Sequence, residues 1–448
     1  MSGPSVIASN FAVPQSIPLF SSSSAPLASA FGVGYATIDG VLTFSDGITW
    51  NTQPYSLSNK LIMARDKAFN NNIFDLGNMA SPPTVAIGTT PLANPVTYTY
   101  GDVGGPKRIR MFGVPFGDTS LMCSISAGTT LNIQNLSSPG VKSANVKGMV
   151  GRVRFTGSVI QLNVNGYNLP LIRVHVNGAL VTVTGSPLLT VPTGSYIQLT
   201  FAQRGTYDIS VEFEQSLTFT GVTVDEADSV HSVEEIPLPI LGLGDSYLQG
   251  LVSDTGSPTG GQTFISAFRE ISGCNLMAQG ISGTGWKAGF AMTDPERLAL
   301  AAATANYANA PLICIWLGTN DVTGSGSGIS AAVKTVLNYL LLNTRSKIAV
   351  FSAWPRTLNL SAQLTGTDAA IQAGVSDINN QRAAFIPMSA AANPWVTGTR
   401  YVGSSGGVAG NSHAITGSDQ AHPSVEGSIY LARKSIDALI ATSLSRAW

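Results

Sequence analysis

Three patterns of apolar and polar residues succeed one another along the chain. Up to about residue 104 no period holds for long. The readable fragments are a β-like piece, Val41-Leu42-Thr43-Phe44, ahead of the turn signal Asp46-Gly47, and helical spacing near Asn59 to Phe69. The serine run Ser21-Ser22-Ser23-Ser24, set among Pro14, Pro18 and Pro26, has the composition of an extended arm or linker. Residues 1–104 are therefore expected to form an N-terminal arm or a small attachment domain, a means of tying the chain to a larger assembly.

From 105 to 230 the period is two. Arg152-Val153-Arg154-Phe155, Ile160-Gln161-Leu162-Asn163-Val164, Ile172-Arg173-Val174-His175-Val176, Ile197-Gln198-Leu199-Thr200-Phe201 and Tyr207-Asp208-Ile209-Ser210-Val211-Glu212-Phe213 alternate in turn. Asn165-Gly166, Asn177-Gly178, Thr193-Gly194 and Arg204-Gly205 punctuate them. Short alternating strands with turn residues between them, and no helical stretches, predict an antiparallel β-sandwich that folds autonomously. His175 sits inside one strand with no partner nearby in sequence, and reads as a residue of a sheet face.

Near residue 231 the alternation stops. Uninterrupted apolar runs, Ile236 to Leu243, Leu312 to Leu317 and Ile348 to Phe351, now alternate with helical stretches at Thr263 to Ile271, Ala331 to Leu342 and Ser424 to Leu444. Strands buried on both faces read as such runs, and strand–helix repetition predicts a three-layer α/β domain with a parallel sheet over 231–448. Thr293-Asp294-Pro295-Glu296 is a helix start, with a cap, a proline in the first turn and an acid at the positive dipole end.

Composition narrows the function. Charged residues make up 11% of the 448, and 24 Lys+Arg against 25 Asp+Glu leave a net charge of −1. That excludes a sequence-independent nucleic-acid binder, which needs a basic surface. Cys123, Cys274 and Cys314 are too few and too scattered for a disulfide framework or a zinc site. No run reaches the ~20 apolar residues that span a bilayer. Met1-Ser2-Gly3-Pro4 lacks the basic start of a secretory signal, and no apolar stretch precedes Ala28-Ser29-Ala30. Low charge with 47 glycines and abundant Ser and Thr suits an extracellular or virion protein.

Four clusters carry chemistry. The first strand of the α/β region ends in Gly244-Asp245-Ser246-Tyr247, a sharp strand-to-helix turn that presents a hydroxyl. A dinucleotide fingerprint fails here because the third glycine position is Tyr247. The second strand leads to Gly280-Ile281-Ser282-Gly283-Thr284-Gly285-Trp286, the third to Gly318-Thr319-Asn320-Asp321, and Asp419-Gln420-Ala421-His422-Pro423 precedes the last helix. Asp and His three positions apart place a carboxylate against the imidazole Nδ1–H. Each cluster alone is a short pattern of low specificity. Their joint occurrence at strand ends, where open α/β sheets bind ligands, is a far stronger signal.

This set resembles the four blocks of the SGNH hydrolases, or GDSL esterase/lipase superfamily: Gly244-Asp245-Ser246, Gly283, Gly318-Thr319-Asn320-Asp321 and Asp419-Gln420-Ala421-His422. The resemblance spans about 236–445, and Tyr247 stands where the family often has Leu. It implies Ser246 as nucleophile, His422 as general base, Asp419 as its orienting carboxylate, and an oxyanion hole from the Ser246 and Gly283 N–H groups with the Asn320 amide, Gly280 and Gly285 being alternatives to Gly283. It implies no metal or organic cofactor. The alternating region is similar to jelly-roll modules of carbohydrate esterases in the superfamily. That tilts the substrate towards O-acetyl groups on a polysaccharide, with Trp286 and Trp354 as residues that either face sugar rings or simply pack. A small ester, a lipid or thioester substrate, and a non-catalytic phage-tail-type adsorption role are the alternatives. Oligomeric state leaves no mark on the sequence.

Overall fold

The computed structural model describes residues 19–20, 33–38, 41–46, 50–51, 81–99, 108–112, 149–166, 171–181, 189–190, 195–213, 217–233, 238–250, 252–253, 263–321, 328–354, 362–389 and 394–442. The helical expectation near Asn59 to Phe69, most of the proline-containing arm and Cys123 lie outside them. The chain divides into two compact units, Met1–Ser56 with the last two residues, and Leu57–Arg446. In the first, β1 (Leu19–Phe20), β2 (Val33–Ile38), β3 (Val41–Asp46) and β4 (Trp50–Asn51) form a sheet in that order.

Among its described residues the second unit holds two sheets. Ten strands make the first: β5 (Thr84–Gly88), β6 (Pro95–Thr99), β7 (Arg110–Phe112), β8 (Met149–Gly166), β9 (Leu171–Val176), β10 (Ala179–Leu180), β11 (Leu189–Thr190), β12 (Tyr196–Phe213), β13 (Leu217–Asp225) and β14 (Ser229–His231). All their pairings are antiparallel. The predicted alternation is present, with Val153, Phe155, Ile197, Leu199, Ile209, Val211, Val222 and Val224 buried in one shared core. Asn177-Gly178 turns the β9–β10 hairpin with both residues at positive φ, as a tight two-residue loop demands.

Arg204-Gly205 does not turn the chain. It lies within β12, where the β8–β12 register shifts between Thr200 and Gly205, so two predicted strands are one long bulged strand. The sheet also reaches upstream of residue 105, because β5 pairs with β12 and β6 with β13.

The second sheet is parallel, with the order β16-β15-β17-β18-β19. Its strands are β15 (Pro239–Gly244), β16 (Asn275–Gly280), β17 (Leu312–Trp316), β18 (Lys347–Phe351) and β19 (Ala383–Ile386). Helices α1 (Phe264–Ser272), α2 (Pro295–Tyr307), α3 (Ile329–Asn343), α4 (Ala362–Ile378), α5 (Ser412–Ile415) and α6 (Val425–Ala441) accompany it. Side chains of β15, β17 and β18 alternate between two cores. Ile240, Cys314, Trp316 and Phe351 meet α1 and α6 on one face, while Leu241, Leu243, Ile315 and Val350 meet α2, α3 and α4 on the other. Three layers result, and the apolar runs have no polar gap because neither face meets water. Asp294 caps α2 as its sequence predicts, accepting the Glu296 N–H at 2.9 Å. Burial pushes the Cys274 thiol up to about 12, in keeping with a small core residue.

The two sheets of this unit are not independent. Glu212 of β12 accepts a hydrogen bond from Arg269 of α1 at 2.7 Å, and Arg173 of β9 pairs with Glu270 of α1. Burial alone would raise the Glu212 carboxyl, but Arg173 and Arg269 outweigh it and hold it low. Ile281, Leu300 and Ala303 of the α/β region pack on the antiparallel core. The expected autonomy of the antiparallel region therefore gives way to a shared apolar and ionic boundary.

Candidate active site

First in sequence, β15 lies between β16 and β17, so the chain crosses to opposite sides of it and leaves a crevice at its carboxyl end. All four sequence blocks converge there. The Ser246 hydroxyl donates to His422 Nε2 at 2.9 Å, and the His422 Nδ1–H donates to Asp419 Oδ2 at 2.6 Å. Asp419 Oδ1 accepts the backbone N–H groups of Ala421 and His422, each at 2.9 Å. Partial burial would raise this carboxyl, yet the bonds from His422 and Ala421 bring it below the usual carboxylate range. It stays ionised beside the imidazole.

Across the crevice from His422 lie the groups expected to form an oxyanion hole, set among buried polar side chains. Asn320, on the single turn Thr319–Asp321 after β17, donates its amide to the Thr284 carbonyl at 2.8 Å and lies 3.5 Å from Asp245 Oδ2. Asp245 also accepts the Tyr247 N–H at 3.0 Å, which fixes the turn around Ser246. Gly283 adopts φ +73°, a left-handed conformation that other residues enter at a cost. Among the described residues, neither the Ser246 nor the Gly283 N–H has an acceptor. The alternatives are committed elsewhere. Gly285 N–H bonds the Ala288 carbonyl, and Gly280 is the last residue of β16, paired in the sheet with Gly244.

Sequence reading missed two organising residues. Asp321 accepts three consecutive N–H groups, from Trp286 at 2.8 Å, Lys287 at 2.9 Å and Ala288 at 3.0 Å, and so shapes the loop that follows Gly283. It was visible in the Gly318-Thr319-Asn320-Asp321 block but carried no assigned role. Arg297 of α2 is buried and donates to the Gly244 carbonyl at 2.7 Å, to Thr284 Oγ1 at 3.1 Å and to the Phe290 carbonyl at 2.8 Å. It thereby joins the strand tip before Ser246 to the loop after Gly283. Burial lowers its pKa to about 10, against the opposing pull of Asp245 and Asp294. No local motif marks Arg297; only its place in the first turn of α2 could have drawn attention.

Trp286 and Trp354 are not cleft residues here. Both have 0% exposure, and Trp354 stacks on Tyr247 at 4.6 Å and edge-on to Phe264. Packing is the role their burial fits. Among the described residues no cluster of His, Cys, Asp and Glu could hold a metal ion, and no helix is long and apolar enough to cross a membrane.

No protein-family profile and no curated protein matches the chain. Solved structures do. A GDSL-like lipase of Bacteroides ovatus ATCC 8483 is 15% identical, with 77% of this chain and 97% of that one covered at a TM-score of 0.54. A family two carbohydrate esterase of Cellvibrio japonicus is 13% identical over 80% and 99% at 0.50. A salicylyl-acyltransferase from a tetracycline biosynthetic pathway is 13% identical over 81% and 99% at 0.51. At such identities the likeness shows the fold alone, one shared with a GDSL-like lipase, a carbohydrate esterase and an acyltransferase.

Proposed function

We propose that the chain is a serine esterase that removes O-acyl groups, O-acetyl foremost, from a polysaccharide. The observation that carries this reading is the continuous line of hydrogen bonds from Ser246 through His422 to Asp419 at 2.9 and 2.6 Å. Ser246 Oγ attacks the ester carbonyl carbon while its proton passes to His422 Nε2. The tetrahedral oxyanion is held by the Ser246 and Gly283 N–H groups and by the Asn320 amide proton whose present contact is the long 3.5 Å one to Asp245. Collapse expels the sugar alkoxide, which takes the proton from His422 and leaves an acyl-serine. Water, deprotonated by His422, then attacks that ester, releases the acid and restores Ser246. Asp419 stabilises the imidazolium in both halves. No step calls for a metal or an organic cofactor.

The carbohydrate part of the proposal is supported by the resemblance of the sequence of the antiparallel region to jelly-roll modules of carbohydrate esterases, and by the named activity of the Cellvibrio structure. The test is a series of model esters from acetyl to long acyl, run beside acetylated and deacetylated polysaccharide, with wild type and Ser246→Ala. Acetate release from the polymer, and a fall of at least about a thousandfold in Ser246→Ala, is the expected result. A preference for long acyl chains would move the substrate to lipid. No turnover of any ester would leave a binding protein with a hydrolase fold.

A further inference from the structure

His422 and Asp419 are the exposed end of the site, with side chains 19% and 40% accessible. They sit on the loop from Gly417 to Pro423, whose internal bonds, Gly417 N–H to the His422 carbonyl and Gln420 N–H to the Gly417 carbonyl, preserve its shape. Those bonds do nothing to set its distance from Ser246. Two residues just after Ser246 do. Tyr247 Oη donates to the Ala421 carbonyl, 174 positions away, while its ring stacks on Trp354 and stands 5.7 Å from the imidazole.

Ser253 grips the same loop. Its N–H donates to the Pro423 carbonyl at 3.0 Å, its carbonyl accepts the Ser418 N–H at 2.9 Å, and its Oγ accepts the Asp419 N–H at 3.1 Å. The approach is close enough to constrain the sequence. A Cβ on Gly417 would lie 1.9 Å from the Ser253 carbonyl oxygen, so this contact admits glycine alone.

We infer that Tyr247 and Ser253 are positioning residues that clasp the 417–423 loop, so that the segment carrying the nucleophile also sets the placement of its base. The inference rests on the esterase reading of Ser246 and His422. A single hydrogen bond of 2.9 Å joins base and nucleophile, and a loop displaced by an ångström would open it. Misplacement on that scale costs rate through lost alignment while leaving substrate binding intact.

The test uses the full chain and the variants Tyr247→Phe, Ser253→Ala and Ser253→Thr, with the Tyr247→Phe/Ser253→Ala double. Tyr247→Phe keeps the stacked ring and removes only the Oη bond. Each single loss is expected to lower kcat about tenfold and the double about a hundredfold, with KM within about twofold. Ser253→Thr, which keeps a hydroxyl, should recover most of the rate. The His422 Nε2 nitrogen resonance, which reports the hydrogen bond accepted from Ser246, should move in the double variant towards that of an imidazole without this bond, while the Nδ1–H signal, internal to the loop, stays in place. A purely structural role would lower the melting temperature without moving the Nε2 resonance or kcat. Wild-type kcat and an unchanged Nε2 resonance in the double variant would overturn the clasp. Should Tyr247→Phe fail to fold, the same result in Ser253→Ala overturns it alone. If the wild-type chain cleaves no ester, the esterase reading fails, and the Nε2 resonance still decides whether these residues set the distance from His422 to Ser246.

Discussion

The two halves of the site are built by opposite means. The half that holds Ser246, Gly283 and Asn320 is supported by Asp245, Asp321 and Arg297, which are 0%, 6% and 3% exposed and bonded chiefly to backbone. The half that holds His422 and Asp419 is a partly exposed loop, shaped by its own N–H groups and held by Tyr247 and Ser253. The difference fits the role proposed for each half. Oxyanion donors must be fixed before charge develops, and a low-dielectric, fully bonded surround does that. The base must exchange protons with alcohol and water, so it needs access. Damage to the first half should therefore appear in stability and rate together, and damage to the second in rate alone.

The strongest test of that contrast is Arg297→Met. It leaves the Gly244 and Phe290 carbonyls without the buried donor they now share, and is expected to cost about 3 kcal/mol of unfolding free energy in denaturant melts. Next comes Asn320→Ala, which should lower kcat about a hundred- to a thousandfold with little change in KM, because its amide acts only as negative charge gathers on the oxygen. Near-full kcat in that variant would show that the end of β17 has another role. Asp419→Ala should reduce kcat by about a hundredfold, the lower part of the range for general-base effects. Its stability should stay within about 1 kcal/mol of wild type, since the group is exposed. A larger stability loss would erase the distinction between the halves.

The smallest effect concerns a buried group away from the site. His175, beside the Arg173–Glu212 pair, has its pKa lowered to about 4, first by burial and then by the Arg173 charge. The unfolded chain binds this proton below its ordinary value of 6.5 while the folded chain refuses it until about 4. Stability from this group is thus intact above pH 6.5 and lost as pH falls towards 4. Between pH 7 and 5 the loss is about 2 kcal/mol. His175→Gln should flatten the stability–pH curve by that amount. Equal slopes in both proteins would show that the imidazole is not held neutral.

The sequence made the parallel sheet and its site legible because both are local. Leu312–Trp316 and Lys347–Phe351 are uninterrupted apolar strands, and each candidate block sits at a strand end or before a helix. Helix α4 was not read, for Gly366 and Gly374 lower its helix propensity and break up its apolar spacing. Strands β5 and β6 were not joined to the antiparallel sheet because their partners lie more than a hundred residues on. Arg297, Tyr247 Oη and Ser253 escaped for the same reason: each acts through contacts between 7 and 174 residues away that have no periodic trace. The tryptophans were read as candidates for a cleft because composition cannot tell a buried indole from a displayed one.

One measurement bears most directly on the claim that Ser246 is an activated nucleophile. The full chain is treated with a fluorophosphonate ester, which phosphonylates a serine only where a neighbouring base removes its proton, and is then digested for mass spectrometry. The account predicts one adduct per chain, on Ser246, formed in step with loss of ester hydrolysis and strongly slowed in His422→Ala. Hydrolysis that persists with Ser246 unmodified, or an adduct on a different serine that tracks the loss of activity, would contradict it.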